Sequence, residues 1–357
     1  MSEATRTITA WAAASPKARL EPVTIEAPPL SANGVEIAVT HCGLCGSDVH
    51  LINSDGGYKD FTAFCCDPPK PQICGHEVIG TVTGLGPSVT HLKVGQRAGI
   101  GWQNAACHEC EWCKKGDEQL CSSVKCTCCE GNTGGFADYI RIDDGKFAFA
   151  IPDSLDSAAT APLLCGGQTV WTPLVQQTKE GDKVGILGLG GLGHMAIKFA
   201  SALGRTVTAL SSSMSKAEEA KDMGAHNYVA HSDQSQLDAI AGSLDFILVT
   251  LATQEPVDFS KFFPLLRPRG TLCFVGMCPP ITADVFTLGF TMNNITTSNT
   301  GGRKEMEQML AFCAEKGIGA SVVTRPMAEI NQCLAELETN KHAARFVLTN
   351  EPPPSVA

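Results

Sequence analysis

Lys183-Val184-Gly185-Ile186-Leu187-Gly188-Leu189-Gly190-Gly191-Leu192-Gly193 is the stretch that decides the fold. Val184 to Leu187 is an apolar run short enough for one buried strand, and a helical stretch, Met195 to Leu203, follows. Between them Gly188, Gly190 and Gly193 fall in the spacing Gly-x-Gly-x-x-Gly, with Gly191 and Leu192 completing the loop. The first glycine permits the tight turn, the second lets a pyrophosphate approach the backbone, and the third lets helix pack on strand. The phosphates then meet a helix amino terminus. A glycine-rich turn without ligand is the plainer reading of the motif alone; its place after a strand and before a helix favours a dinucleotide.

Moving outward toward the carboxyl end, strands and helices alternate. Thr206–Leu210, Asn227–Ala230, Asp245–Leu251 and Gly270–Val275 read as strands, with a helix at Lys216–Met223. Such alternation predicts a parallel, doubly wound sheet. Lys304–Lys316 and Met327–Thr339 are amphipathic helices, Phe346–Thr349 is a last strand, and the tail from Glu351 reads as a frayed end. Toward the amino end the texture is different: short strands at Val35–Val39, Glu77–Thr83, Gln96–Gly99 and Phe136–Ile142, broken by Gly and Pro. The fold class is therefore α/β, a β-rich domain plus a doubly wound Rossmann domain.

About twenty residues beyond the glycine loop, an NAD site carries Asp or Glu for the ribose hydroxyls. Here Ser211, Ser212 and Ser213 stand in that place, with Lys216 following. Hydroxyls and an ammonium favour a 2′-phosphate and hence NADP; the alternative is that the serines only cap the next helix.

Cys107, Cys110, Cys113 and Cys121 have the spacing Cys-x-x-Cys-x-x-Cys-x7-Cys in a segment too polar for core, Ala106 to Gly116. Four thiolates so spaced close around one zinc with no open position, a structural site. Three further residues have the chemistry of an open site: Cys45, His76 and Cys165. Two thiolates and an imidazole leave a fourth position for water or substrate, but ligands so far apart have no local signature, and each alone reads as a buried thiol or a satisfied histidine.

The 357 residues suffice for two domains. A net charge of −10 argues against nucleic acid and anionic membranes as partners. No apolar run approaches a spanning helix, and Met1 to Arg6 resembles no secretory signal. Seventeen cysteines, an odd number with metal-like clustering, fit a reducing compartment, so a cytoplasmic location is expected.

Gly43-x-Cys45-Gly46-Ser47-Asp48-x-His50, Gly75-His76-Glu77-x-x-Gly80, the four-cysteine lobe, Pro162-Leu163-Leu164-Cys165-Gly166-Gly167 and the glycine loop occur in this order. In that order the chain resembles the zinc-containing medium-chain alcohol dehydrogenases. The Leu-Leu-Cys-Gly-Gly run and serine-rich coenzyme turn are similar to the cinnamyl-alcohol-dehydrogenase branch. The resemblance implies a chaperonin-10-like (GroES-like) catalytic domain at 1–160 joined by 298–357, an NADP-binding Rossmann domain at 161–297, and an active site in the cleft between them. It implies two zinc ions per chain, the catalytic one on Cys45, His76 and Cys165, with Glu77 a transient ligand and Asp48 holding His76. Ser47 would bond the substrate oxygen and His50 end a proton relay. Thr169, Val275, Ser298 and Arg345 would line the cofactor, the substrate would be a small-molecule aldehyde or alcohol, and the chain would form a homodimer.

One stretch departs from that branch. Ser122 to Gly131 is short and cysteine-rich where the branch has a longer aromatic loop, which puts a dedicated lignin-type substrate in question. Cys126, Cys128 and Cys129 read as free thiols, with a redox switch the other reading; Trp102 and Trp171 are candidates to line an apolar pocket. Two rivals remain: a zinc-independent quinone reductase, which needs none of the seven zinc ligands, and a zinc-stabilised NADPH-binding redox sensor without turnover.

Overall fold

The computed structural model describes residues 5–129, 131, 133–253, 256–278, 280–339 and 344–351; the tail beyond Glu351 lies outside them. The chain divides into two compact units, Met1–Cys165 with Gly302–Ala357, and Gly166–Gly301. The division falls after Cys165 rather than at 160. Ala161–Leu164 is one 3₁₀ turn that belongs to the first unit, because a side chain at Gly99 would meet Leu164 and one at Gly101 would meet its carbonyl.

In the first unit a seven-stranded sheet carries the site. Its strand order is Val322–Pro326, Arg345–Thr349, Val35–Gly43, Glu77–Leu85, Arg97–Ile100, Ala148–Ala150, with Tyr139–Ile142 branching from Val35–Gly43. Val322–Pro326 runs parallel to Arg345–Thr349 and the remaining pairs are antiparallel. Val35–Gly43 is buried along almost its whole length, with Val35, Ile37, Val39 and Cys42 in the main core beside Val78, Val82, Phe136 and Ile140. One charged residue sits on this strand. Glu36 accepts from Arg6 Nη2 at 2.7 Å, Arg141 Nε at 2.6 Å and Thr83 Oγ1 at 2.8 Å. Burial pushes its carboxyl up, and those donors outweigh burial and hold it at about 2. A separate hairpin, Arg6–Ala12 with Glu21–Ala27, was not expected from the sequence, nor was Val322–Pro326.

In the second unit six strands pair in the order Asn227–Ala230, Thr206–Ser211, Lys183–Leu187, Leu244–Val249, Leu266–Phe274, Asn294–Thr297, all parallel. The expected doubly wound sheet is present, with one strand more. Asn294–Thr297 escapes a sequence reading because it is a short edge strand, mostly exposed and without the apolar run of its buried neighbours. Leu187, Leu210, Ile247, Val249, Phe262 and Leu272 form this unit's core. Among the described residues no helix is long and apolar enough to cross a membrane.

Candidate active site

Helix Gly46–Asn53 begins immediately after Cys45 and carries Ser47, Asp48 and His50. Asp48, fully buried, is the organising group. Its Oδ2 accepts from the Cys45 amide at 2.9 Å; its Oδ1 accepts from the Gly75 amide at 2.9 Å and lies 3.0 Å from His76 Nδ1. One carboxylate thus fixes both the loop that presents Cys45 and the strand start that presents His76. With Nδ1 so held, His76 Nε2 faces Cys165, 3.2 Å from its Sγ. Cys165 Sγ and Cys45 Sγ are 4.0 Å apart.

Cys45, His76, Glu77 and Cys165 offer ligand atoms all within 4.8 Å of one another. Tetrahedral zinc with Zn–S near 2.3 Å sets thiolate sulfurs roughly 3.8 Å apart, so the observed spacing fits. Glu77 adds a second sign. Its Oε1 pairs with Arg345 Nη2, while its Oε2 is buried with no partner. Burial pushes the Glu77 carboxyl up to about 8 against the pull of Arg345. The carboxylate has room because Gly43 faces it across the sheet; a side chain there would begin 2.0 Å from Glu77 Oε2. A hydrogen bond from Cys165 together with Arg345 and His76 draws Cys45 well below the ordinary thiol range, and that same hydrogen bond, with burial, pushes Cys165 up. Buried sulfur that takes only one negative charge by itself takes two in the presence of a divalent cation.

Arg345, carried over as a cofactor contact, pairs through Nη2 with Glu77, while its Nε is buried with no partner. The sequence holds no sign of this pair because its members are 268 positions apart. Ser47 Oγ is 2.9 Å from Tyr58 Oη, and His50 Nδ1 is 2.6 Å from Asp55 Oδ1. The rings of His50 and Tyr58 stack, with centroids 5.9 Å apart. Trp102 stands edge-on to Tyr58 and to His76, its centroid 4.9 Å from the imidazole. Tyr58 and Asp55 were missed; they lie in a glycine-containing stretch, Ser54 to Tyr58, with no motif to mark it. Of the two tryptophans Trp102 reaches the site, whereas Trp171 is buried against Phe199 in the other unit.

The four-cysteine lobe closes locally. Cys107, Cys110, Cys113 and Cys121 also bring their sulfurs within 4.8 Å of one another, Cys121 Sγ at 3.5 Å and Cys113 Sγ at 3.9 Å from that of Cys107. Backbone amides point at the sulfurs: Cys110 N on Cys107 Sγ at 3.4 Å, Cys113 N on Cys110 Sγ at 3.5 Å, Ser123 N on Cys121 Sγ at 3.3 Å. The amides of Glu109 and Cys110 draw the Cys107 thiol down to about 6, whereas burial pushes Cys113 up to about 12.

In the second unit the glycine loop has the shape its sequence implies. Gly188 has φ of +101°, in the region glycine favours, and a side chain at Gly193 would begin 1.9 Å from the Gly188 carbonyl. Helix Gly193–Ala202 follows. At the end of the next strand Ser212 is exposed, Ser213 caps the short turn Met214–Lys216, and Lys216 Nζ donates to the Leu189 carbonyl of the glycine loop at 3.1 Å. Thr169 and Val275 belong to this unit, as does Ser298, whose amide donates to the Phe274 carbonyl at 3.0 Å.

Comparison with known proteins agrees with this architecture. Residues 31–153 match the alcohol dehydrogenase GroES-like domain and residues 191–315 the zinc-binding dehydrogenase domain. The aldehyde reductase AdhA of Synechocystis sp. is 34% identical over 96% of this chain and 99% of its own. A cinnamyl alcohol dehydrogenase structure from Sorghum bicolor superposes with a TM-score of 0.88 at 32% identity, covering 98% of this chain and 100% of that one. The Helicobacter pylori CAD, solved in complex with NADP(H), gives 0.85 at 27% identity, covering 97% and 99%. With its two domains matched and its relatives aligned almost end to end, the chain belongs to the zinc-containing medium-chain alcohol dehydrogenases, in the cinnamyl-alcohol-dehydrogenase-like branch.

Proposed function

We propose that the protein is a zinc-dependent, NADP-using aldehyde reductase and alcohol dehydrogenase that interconverts an aldehyde, cinnamyl-type aromatic or medium-chain aliphatic, and its primary alcohol. The observation that carries this reading is the meeting of Cys45, His76 and Cys165 beside the Ser47 hydroxyl-bearing helix, with Asp48 fixing both. Those three residues would hold the catalytic zinc and Cys107, Cys110, Cys113 and Cys121 the structural one. Bound there, the metal supplies Lewis acidity toward the substrate oxygen and the dinucleotide supplies or accepts hydride.

The chain's own residues do the rest. Asp48 locks the His76 tautomer. Ser47 exchanges the proton with the substrate oxygen, and its bond to Tyr58 orients the hydroxyl. His50, held by Asp55, stands at the outer end of the proton path. Tyr58 and Trp102 form an apolar wall suited to a flat or extended carbon skeleton. Glu77 with its free Oε2 is placed to serve as the transient ligand.

Ser211, Ser212, Ser213 and Lys216 support NADP, as does the NADP(H) complex of the Helicobacter pylori relative. Thr169, Val275 and Ser298 are assigned as further cofactor contacts. Because a cellular NADP pool is kept reduced, aldehyde reduction is the working direction. A homodimer is supported by the edge strand Asn294–Thr297 beside exposed Val285, Phe286 and Phe290. Seventeen cysteines with no disulfide among them support a reducing, cytosolic setting.

The test is kcat/KM for NADPH and NADH with cinnamaldehyde and with straight-chain aldehydes, in wild type and Ser212→Asp. Two charge-assisted bonds of roughly 1.5–3 kcal/mol each give NADPH an advantage of about 10²-fold or more. Ser212→Asp, by repelling the 2′-phosphate and accepting from ribose hydroxyls, should reverse the order. Equal use of the two coenzymes by wild type would reduce the serines to a helix cap. No turnover with any aldehyde, despite NADPH binding, would favour the redox sensor.

A further inference from the structure

Four thiols outside both metal sets lie next to one another. Cys126 is partly exposed; Cys129, Cys128 and Cys74 are buried. The Cys129 thiol neighbours those of Cys126 and Cys128, and Cys128 neighbours Cys74 in turn. They run as a chain from the surface inward instead of closing on a point: among the described residues they form no group that could share one ion, apart from Cys128 itself beside Asp48 and His76. Cys126 and Cys129 are in Cys-x-x-Cys spacing across a turn. The Cys129 amide donates to the Cys126 carbonyl at 3.4 Å, and Cys128, third residue of that turn, has φ of +62°. A turn of this kind brings its end Cα atoms within about 7 Å, the range a disulfide spans.

The turn is also clamped to the candidate active site. Thr127 donates through its amide to the Trp102 carbonyl at 2.7 Å and through Oγ1 to the Gly101 carbonyl at 2.8 Å. Cys128 lies with its Sγ 3.9 Å from His76 Nδ1, and its carbonyl accepts from Gln72 Nε2 at 2.6 Å. His76 is therefore touched on one side by Trp102 and on another by Cys128, both held by the same turn.

We propose that Cys126 and Cys129 are a hydroperoxide-reactive dithiol whose oxidation to a disulfide draws the turn in and displaces the support of His76. Cys126, the accessible member, attacks one peroxide oxygen; the O–O bond breaks, an alcohol or water leaves with a proton, and Cys126 becomes a sulfenic acid. Cys129 then attacks that sulfur, the S–O bond breaks, and water leaves with the second proton. Two thiols and one hydroperoxide give one disulfide, one alcohol or water, and one further water; sulfur loses two electrons and the peroxide gains them.

The experiment exposes the zinc-loaded full chain to graded hydrogen peroxide, blocks free thiols, maps the peptides by mass, and follows zinc release and NADPH-dependent turnover in the same samples. Expected is a Cys126–Cys129 disulfide formed before zinc is released, with a loss of turnover in wild type that dithiothreitol reverses. C126S and C129A should keep their turnover under the same exposure. The turnover arm rests on the aldehyde reductase reading; the mass arm decides the dithiol even if no aldehyde is turned over. A disulfide mapped to Cys66 or to the ligand thiols, oxidation only together with zinc loss, or inactivation of C126S as fast as wild type would each overturn the proposal.

Discussion

The two thiol-rich candidate metal sets of the first unit share cysteine ligands but have opposite construction. In the four-cysteine lobe the sulfurs in contact are at most 14 positions apart, and the loop's own amides point at them. In the Cys45 set the sulfurs come from positions 120 apart, and the histidine is 89 from Cys165. No loop could hold these, and a buried carboxylate from a helix, Asp48, takes the place of local amides. In the lobe the ion would hold the chain together, whereas in the other set the sheet and the helix hold the ligands for the ion. The difference predicts that the two sets fail differently when damaged.

The widest separation should come from paired substitutions. Cys45→Ser should bring turnover to background while the thermal midpoint stays close to wild type. Cys110→Ser should lower the midpoint sharply, because a closed structural site contributes folding energy directly. Zinc content, turnover and melting measured together test this; if Cys45→Ser melts as low as Cys110→Ser, the contrast is broken. Next, Ser47→Ala leaves both sets intact and removes only the proton-exchanging hydroxyl, so kcat should fall by about 10²-fold or more with the metal retained. Near-wild-type kcat would mean that the proton leaves by another route.

Asp48→Asn tests the carboxylate itself. Metal affinity or activity should drop by about 10–100-fold, the usual cost of removing an outer partner of a ligating histidine. The four-cysteine lobe should keep its zinc, which chelator titration would show. The last test lies outside both sets, at Glu36, and reads stability alone. Its folded pKa of about 2 is below the unfolded value of 4.5, so it contributes stability that is fully present above pH 4.5 and is lost as pH falls toward 2. A shift of that size corresponds to about 3 kcal/mol. Unfolding of Glu36→Gln by denaturant should show lower stability at neutral pH and a shallower acid slope; an unchanged slope would mean that Glu36 does not carry the acid sensitivity.

What the sequence disclosed follows the same local-versus-distant division. The four-cysteine spacing and the glycine loop are each written within a few residues, and the structure gives both their expected shape. The Cys45, His76 and Cys165 set became readable only through the order of five motifs, since spacing alone gives it no signature. Arg345 on Glu77 and Tyr58 on Ser47 were not readable. The first joins strands far apart in the chain; the second depends on how the 3₁₀ segment Gly56–Phe61, after a helix, folds back onto it. The edge strand at Asn294–Thr297 was hidden for a different reason: exposure removes the hydrophobic pattern by which strands are recognised.

The last strand, Arg345–Thr349, has a consequence for how the molecule is made. It pairs with Val35–Gly43 through Val347 and Gly43, brings Arg345 to Glu77, and is followed by Asn350, which donates to the Val39 carbonyl from 311 positions away. At a synthesis rate of about 5–20 residues per second, the early strand waits on the order of 15–60 s for this neighbour. During that interval the intervening segment Gly166–Gly301 has been made in full and can fold on its own contacts, while the edge of Val35–Gly43 near Gly43 stays unpaired. Biogenesis is thus ordered by topology: the middle of the chain matures first, and the site-bearing sheet is the part of the nascent protein most in need of protection until its final strand arrives.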